Sequence, residues 1–237
     1  MSDFPAVTLE DVRAVSPILA KYTEDAIVNG MWKRPQLSSR DRSIVSVSAL
    51  VASERTIGFA HYFNLALSTG VTPAELSEII TQVAFYAGWS TAFSAVAVLK
   101  DVFAARGIGT EQLPEVSPTL LAADQVLPND EARVTILQER FGAVVPGLVQ
   151  ITNDLLYGDL WLRPGLSPRD RNLVTVAALI ATSQLEFLGL YLHKAEAMEV
   201  TKQDLAETIT HLAFYIGWPA ALSAANAARP YLEGAAT

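Results

Sequence analysis

Apolar residues near the start of the chain recur at helical rather than strand spacing. The positions on this apolar face are Val12, Val15, Ile18 and Leu19. The run follows Thr8-x-x-Asp11, whose side chains can satisfy the free amides of a first helical turn. The pattern predicts a helix from about Leu9 towards Gly30, and the strict alternation typical of strands is nearly absent from the whole chain.

The pattern then repeats at a constant offset of 129 residues. Trp32 opens the segment W-K-R-P-Q-L-S-S-R-D-R, and Trp161 opens W-L-R-P-G-L-S-P-R-D-R. Likewise, Ala84 opens A-F-Y-A-G-W and Ala213 opens A-F-Y-I-G-W. Because both pairs share one offset, no insertion separates them, as expected of a duplicated rigid core. Positions that agree between the copies indicate the scaffold, and positions that differ indicate where function was divided.

Matching helix-start signals occur in both copies. They are Ser38-x-x-Asp41 with Ser167-Pro-x-Asp170, and Thr72-Pro-x-Glu75 with Thr201-x-x-Asp204. In each pair a hydroxyl can accept a hydrogen bond from the backbone three residues later. The helices that follow the first pair are apolar nearly all round over 44–52 and 173–181, which predicts two central helices. Each repeat is therefore predicted to be a bundle of five or six helices.

Glycine and proline interrupt the helical pattern between the two copies. These residues are Gly107, Gly109, Pro114, Pro118 and Pro128. We therefore predict a first repeat over residues 1–110, a connector over 111–128 and a second repeat over 129–237. A chain of 237 residues with 51% hydrophobic content can bury a substantial core.

Composition excludes several functional classes. The formal net charge of −8 argues against a nucleic-acid surface, which needs clustered cations to neutralise phosphates. The absence of cysteine removes thiol nucleophiles, disulfides and zinc–thiolate sites, and three histidines do not suggest a metal cage. No signal-peptide pattern or apolar run of membrane-spanning length is present. We expect a cytoplasmic protein with neither a nucleic-acid nor a membrane partner.

The motifs of both copies resemble those of the carboxymuconolactone decarboxylase family, which belongs with the alkylhydroperoxidase D-like proteins. In order, they are W-x-R-P-x-L-S-x-R-D-R, an apolar central helix, V-T-x-x-[ED]-L-x-E and A-F-Y-x-G-W. The resemblance implies an all-α fold, with two tandem repeats packed as a pseudo-dimer. It also implies a ring-like homo-oligomer, so that a trimer of tandem chains would correspond to a hexamer of single domains.

The chain departs from the family in its chemistry. Peroxidase members resemble one another in a Cys-x-x-Cys-x-x-x-His helix, and without cysteine this chain cannot be a thiol peroxidase. Decarboxylase-type members carry a histidine on the helix after the central one. The aligned positions here hold Tyr62 and Tyr191, while His61 precedes Tyr62 and His193 follows Tyr191.

We predict that the site lies on this helix in each copy. His61 and Tyr62 are the expected proton donors of the first copy, and Tyr191 and His193 the expected catalytic residues of the second. A packing role for each of them stays open. Asn64 lies on the same face, occupies the position equivalent to His193 and is expected to bind the substrate.

Further residues are expected to bind the substrate. Arg42 or Arg171 could hold a carboxylate in a bidentate contact, although either could equally pair with an acid of the protein. Trp32 and Trp161 could wall an aromatic site or anchor a loop. Glu186 could act as a base or stabilise the start of its helix, and His211 fits a polar helix position.

The resulting hypothesis is a lyase that resembles 4-carboxymuconolactone decarboxylase and acts on a small carboxylated lactone or aromatic-derived metabolite. Such chemistry needs a cation, hydrogen-bond donors at the carbonyl and a proton donor, and it requires no metal or organic cofactor. Two alternatives stay open. One is an isomerase, cyclase or dehydratase of a polyketide-like aromatic compound, and the other is a non-catalytic oligomer that binds a small ligand.

Overall fold

The computed structural model describes residues 7–128 and 130–234, and these residues form helices and connecting turns without a strand. The first repeat contains α1 (Leu9–Val15), α2 (Pro17–Tyr22), α3 (Ser39–Ala52), α4 (Phe59–Ser68), α5 (Pro73–Ala87) and α6 (Trp89–Ala105). The connector leads through α7 (Ala123–Val126) into the second repeat, which contains α8 (Glu131–Phe141), α9 (Pro146–Ile151), α10 (Pro168–Ala181), α11 (Leu188–Ala195), α12 (Lys202–Ile216) and α13 (Trp218–Glu233). The predicted all-α class is confirmed.

The prediction of one continuous helix from Leu9 towards Gly30 is wrong. Ser16 leaves the helical conformation, with φ −142° and ψ 81°, because the proline that follows disfavours the α region for the residue before it. Pro17 then begins α2, where its missing N–H costs no helical hydrogen bond. A π-helical turn, Thr23–Val28, completes the segment, and Thr152–Tyr157 forms the matching turn after α9.

The predicted helix-start signals are confirmed. Thr72 and Thr201 form complete capping boxes at α5 and α12. Ser38 makes only the first contact of such a box at α3, since its hydroxyl accepts from the backbone N–H of Asp41 at 3.0 Å. The Asp41 carboxylate does not return to the cap and instead accepts from Arg169 of the other repeat at 2.9 and 3.0 Å. Acids at these helix starts thus join the two repeats.

The two central helices are buried as predicted and pack against each other. Every residue of α3 from Asp41 to Ala52 is buried, and so is every residue of α10 from Asp170 to Ile180. The repeats also interleave, because α5 packs on α10 and α12 packs on α3. Each central helix is therefore covered by a helix from the opposite repeat, and the interface between repeats is continuous with the core.

The connector packs onto the second repeat near its end. The backbone N–H of Leu121 donates to the carbonyl of Leu162 at 2.8 Å, and Val126 and Leu127 are buried. The predicted repeat boundaries stay a prediction. Within residues 7–128 and 130–234, no helix has both the length and the apolar character needed to cross a membrane.

Candidate active site

The residues that the sequence predicted for α4 and α11 point in two different directions. His61 is exposed, and its ring meets only the edge of Tyr62, with the two centroids 4.9 Å apart. Asn64 accepts a hydrogen bond at 2.7 Å from Arg106, the residue that follows α6. His193 is exposed beside Tyr231, at 5.8 Å between ring centroids. These polar side chains lie on the outer faces of their helices.

The two aligned tyrosines point inward, and each meets a tyrosine of the other repeat. Tyr62 packs edge-on against Tyr215 of α12, with ring centroids 5.3 Å apart. The hydroxyl of Tyr191 lies 2.8 Å from the hydroxyl of Tyr86 on α5. Neither partner belongs to the helix on which the site was predicted, so both sites are composite.

The predicted tryptophans complete these two groups. The indole N–H of Trp32 donates to the Tyr215 hydroxyl at 3.0 Å, and that of Trp161 donates to the Tyr86 hydroxyl at 2.9 Å. We call Trp32, Tyr62 and Tyr215 the first aromatic cluster. We call Trp161, Tyr86 and Tyr191 the second aromatic cluster. Each takes two residues from one repeat and one from the other.

Arg42 and Arg171 lie behind the clusters and are fully buried. Arg171 donates to the carboxylate of Glu78 at 2.7 Å, and Arg42 donates to that of Glu207 at 2.8 Å. Burial alone would raise the pKa of Glu207, yet hydrogen bonds from Arg34 and Arg42 hold this pKa below its ordinary value. Each arginine therefore already has a carboxylate of the opposite repeat. Its predicted contact with a substrate carboxylate stays a prediction.

His211 occupies the interior beside the first aromatic cluster and is fully buried. Arg42 can only donate, so Nδ1 of His211, 3.3 Å away, must accept. The proton then sits on Nε2, which donates to the Ser46 hydroxyl at 2.8 Å. Burial, with the Arg42 charge as the next cause, lowers the pKa of His211 to about 3. The imidazole is therefore neutral at physiological pH.

The second copy of this network uses an amide in place of the imidazole. Gln82 accepts from Arg171 at 3.0 Å and donates to the Thr175 hydroxyl at 3.1 Å. The pattern of one acceptor and one donor is the same as that of His211. The two residues are thus interchangeable in hydrogen bonding, and they differ in that imidazole can take up a proton.

A cavity of about 340 Å³ lies against the second aromatic cluster. Tyr86 and Tyr191 form part of its wall, together with Tyr157 from the π-helical turn. Most of the other lining residues are apolar. They include Phe85, Leu137, Leu156, Leu179, Phe187 and Leu190. The cavity therefore presents three phenol groups within an otherwise largely apolar wall, which suits a small ligand with a few polar atoms.

Burial raises the pKa of every tyrosine in this wall. The pKa of Tyr86 and that of Tyr191 lie far above their ordinary values, mainly because burial disfavours the phenolate. The pKa of Tyr157 is also raised by burial, but the charge of Arg133 and a hydrogen bond to Tyr191 oppose the effect. All three phenols stay protonated near neutral pH and can act as hydrogen-bond donors.

A cluster of charges borders the cavity on the side of Tyr157. The Arg133 guanidinium lies over the Tyr157 ring, 3.8 Å from its centroid. Asp130 accepts from Arg133 Nε at 2.9 Å and from Lys194 Nζ at 2.9 Å. With two cations and one carboxylate, the cluster carries a net positive charge beside the phenols.

Several residues of these sites escaped prediction. Tyr86 and Tyr215 belong to the A-F-Y-x-G-W motifs, and that recurrence was the available signal, although it also fits simple packing. Tyr157 and Arg133 lie outside the recurring motifs and gave no signal. Glu186, which was predicted, is exposed at the turn before α11. Among residues 7–128 and 130–234, no group of three or more acidic or histidine side chains is arranged to hold a metal ion.

Comparison with known proteins shows which family the chain matches. A model of the family described as carboxymuconolactone decarboxylase matches residues 19–101 and 146–230, one segment in each repeat. The two segments together cover most of the chain and include both aromatic clusters.

Two curated proteins are similar over part of the chain. One is a 4-carboxymuconolactone decarboxylase of Acinetobacter baylyi, 39% identical over 72 residues, which are 30% of this chain and 54% of that protein. The other is a nitrosuccinic acid decarboxylase of Metarhizium robertsii, 34% identical over 79 residues, which are 33% of this chain and 54% of that protein. The chain spans about half the length of the curated relatives it matches.

Proposed function

Since the chain belongs to the carboxymuconolactone decarboxylase family, we propose that it is a decarboxylase of a small carboxylated metabolite and works without a cofactor. We assign the reaction to the second aromatic cluster. One observation carries this assignment, namely that hydroxyl groups of both repeats, Tyr86 and Tyr191, meet 2.8 Å apart at the wall of a largely apolar cavity. Both similar proteins are named as decarboxylases, which supports the reaction class.

The electrons and protons of the proposed decarboxylation can be accounted for with amino-acid side chains alone. The bond between the carboxylate and its neighbouring carbon breaks, carbon dioxide leaves, and the electron pair moves into an adjacent carbonyl to give an enolate. Phenol donors stabilise the enolate oxygen, and one proton is then delivered to carbon. Because Tyr86 and Tyr191 have raised pKa values, their hydroxyls stay protonated over the neutral range.

The surroundings of the cavity destabilise a charged carboxylate and therefore favour its departure as carbon dioxide. Apolar walls exclude water, so that the carboxylate is poorly solvated and electrostatic contacts with donors are strengthened. A volume of about 340 Å³ suits a substrate of small-metabolite size. The positive charge cluster of Arg133, Asp130 and Lys194 would attract an anionic substrate to this side of the molecule.

The test uses 4-carboxymuconolactone as the probe substrate, with loss of its ultraviolet absorbance and release of carbon dioxide followed in parallel. We expect turnover by the wild-type protein. The variant Tyr191→Phe should lose about 10²- to 10⁴-fold in kcat, the range typical of a lost proton donor or carbonyl donor. Circular dichroism establishes that the variant is folded. Undiminished kcat in folded Tyr191→Phe would refute the assignment to this cluster.

The sequence-based prediction for the first repeat makes the opposite forecast. If only the first repeat holds a working site, with His61 and Tyr62 as proton donors, then His61→Ala and Tyr62→Phe should each abolish turnover while Tyr191→Phe does not. The assay with these three variants therefore separates the two hypotheses directly. Absence of turnover by the wild-type protein would favour an isomerase, cyclase or ligand-binding role on the same scaffold.

We also propose that the chain assembles with copies of itself. Large apolar side chains are exposed at equivalent positions of α6 and α13, including Trp89 with Trp218 and Phe93 with Leu222. Exposed apolar groups that recur in both repeats favour two equivalent contact faces. Sedimentation equilibrium gives the mass of the assembly, and a monomer at micromolar concentration would contradict the proposal.

A further inference from the structure

We propose that Tyr157 is the proton donor of the second aromatic cluster, and that Arg133, held against its ring by Asp130, is a positioning residue that prepares it for this role. The inference rests on the proposed decarboxylation and names its donor. It also distinguishes the two aromatic clusters, because the position equivalent to Tyr157 in the first repeat holds Val28.

The hydrogen bonds of the second aromatic cluster form a chain that ends at Tyr157. The indole N–H of Trp161 only donates, so it occupies the Tyr86 oxygen at 2.9 Å and leaves the Tyr86 proton free for Tyr191. The hydroxyls of Tyr191 and Tyr157 lie 3.0 Å apart and either can donate, and we assign Tyr191 as the donor. In this direction the proton of Tyr157 is the terminal one, and it can be given to a ligand.

Arg133 lies where it makes this terminal proton easier to release. Its guanidinium is 3.8 Å from the centroid of the Tyr157 ring, a contact that favours the phenolate over the phenol. Lys194 Nζ adds a second cation at 5.6 Å from the same ring. The three phenols are all buried, but Tyr157 is the one next to these charges, and Arg133 lowers its pKa relative to burial alone.

Asp130 fixes the guanidinium in this orientation. It accepts from Nε of Arg133 at 2.9 Å and from Nη2 at 2.6 Å, which is a bidentate contact. Asn153 accepts from Nη1 at 2.9 Å on the other side. The side chain of Arg133 is only 10% exposed, so the contact is shielded from solvent and from salt.

Tyr157 is accessible to a ligand although it is 94% buried (6% exposed). It lines the cavity of about 340 Å³ and also a neighbouring cleft of about 580 Å³. Arg133 is the other side chain that carries charge and borders both spaces. The pair therefore stands at the boundary between this cleft, whose wall also carries Asp124, Asp130 and Glu131, and the cavity of the second aromatic cluster.

The first half cannot reproduce this arrangement. At the offset of 129 residues, Tyr157 corresponds to Val28 and Lys194 to Leu65. Tyr157 and its neighbouring cation Lys194 thus have apolar counterparts in the first repeat, although the other two phenols of the cluster do not.

The proposed step is a single proton transfer. After carbon dioxide has left, the electron pair of the enolate takes the Tyr157 proton to form a new C–H bond. The phenolate left on Tyr157 is stabilised by Arg133 and takes a proton from Tyr191, and the chain is refilled from solvent. The net reaction consumes one proton for each carbon dioxide released and needs no oxidant or reductant.

Kinetics with 4-carboxymuconolactone test the donor. We expect Tyr157→Phe to lower kcat by about 10²- to 10⁴-fold with KM within about threefold of the wild-type value. The matched control is Tyr22→Phe, which removes an exposed hydroxyl from a ring that also lies beside a cation, Lys21 at 5.8 Å, and should keep kcat within about twofold. Equal losses in the two variants, or a folded Tyr157→Phe with wild-type kcat, would overturn the proposal.

The role of Arg133 has a readout that needs no substrate. Protein labelled with 3-fluorotyrosine is titrated by ¹⁹F NMR, with the seven resonances assigned from Tyr→Phe variants. We expect Tyr157 to ionise at lower pH than Tyr86 and Tyr191, and expect Arg133→Met to raise that pH while Arg133→Lys restores part of it. Asp130 is left unchanged, because its own charge raises the pKa of Tyr157 and opposes the effect of Arg133. Because this titration is independent of turnover, an inactive wild-type protein would refute the decarboxylation alone. Tyr157 ionising together with or after the other two would refute the inference.

Discussion

The replacement His211→Gln should remove a large part of the acid sensitivity of this fold. The chain itself contains the substitution, because Gln82 stands at the equivalent position of the first copy and makes the same pair of hydrogen bonds. An amide at position 211 can accept from Arg42 and donate to Ser46, as the imidazole does. The variant should therefore unfold at pH 7 with a free energy within about 1 kcal/mol of the wild-type value.

The magnitude follows from the pKa of the buried imidazole. It falls from an ordinary value of 6.5 to about 3, with burial as the first cause and the Arg42 charge as the second, while Glu207 opposes them. Between these values the unfolded chain binds a proton and the folded chain does not, so stability decreases as the pH falls, by about 1.4 kcal/mol for each pH unit. From pH 7 to pH 5 the wild-type protein should lose about 2 kcal/mol through His211 alone.

Urea unfolding followed by circular dichroism measures this difference. Both proteins are compared at pH 7 and at pH 5, at one protein concentration, so that any contribution of assembly is held constant. The wild-type free energy of unfolding should fall by about 2 kcal/mol more than that of His211→Gln. Parallel losses in the two proteins would show that the imidazole is already protonated in the folded state, and would refute the assigned tautomer and its burial.

Two further predictions concern stability. Glu207→Gln should lower the free energy of unfolding by about 3–5 kcal/mol, because it leaves the fully buried Arg42 without a carboxylate. The control Glu24→Gln, at the exposed pair with Arg13, should lower it by less than about 1 kcal/mol. Urea unfolding at pH 7 compares the two variants, and similar losses would contradict the burial argument. Gly88→Ala should cost about 1–3 kcal/mol because φ is 101° and ψ is 156° at the start of α6, although no atom crowds the new methyl group. Gly147→Ala, equally uncrowded, is its control, and equal melting temperatures would refute the strain.

The scaffold could be predicted from the sequence because its signals are local. A hydroxyl followed three residues later by an acid determines where a helix begins, and five such starts are present in the structure. The repeat offset determined which helices are equivalent, and unbroken apolar character identified the two central ones. The first predicted helix is wrong because it is interrupted at Pro17, although a proline is itself a local signal for a helix boundary.

The site was harder to predict because its contacts join residues far apart in sequence. Periodicity placed Tyr62 and Tyr191 on a helix face, but it could not indicate that the face meets α12 or α5 of the other repeat. Pairs such as Trp32 with Tyr215 are separated by 183 positions and depend on how the repeats interleave. Tyr157 has Val28 as its counterpart and Arg133 lies outside the recurring motifs, so agreement between the copies gives no signal for either residue.

Interleaving also explains how two similar halves can diverge without loss of the fold. The residues that hold the repeats together, such as Arg40 with Asp170 and Arg169 with Asp41, are the same in both copies and sit at helix starts, away from the cavity. Substitutions at the cavity wall therefore leave this framework intact. Because each aromatic cluster takes residues from both repeats, a change in one repeat alters the site of the other, and the two sites cannot evolve as independent domains. The positive charge beside Tyr157 then needs to arise in one repeat only, from Arg133 before the central helix α10 and Lys194 after it, for one composite site to become chemically distinct from its twin.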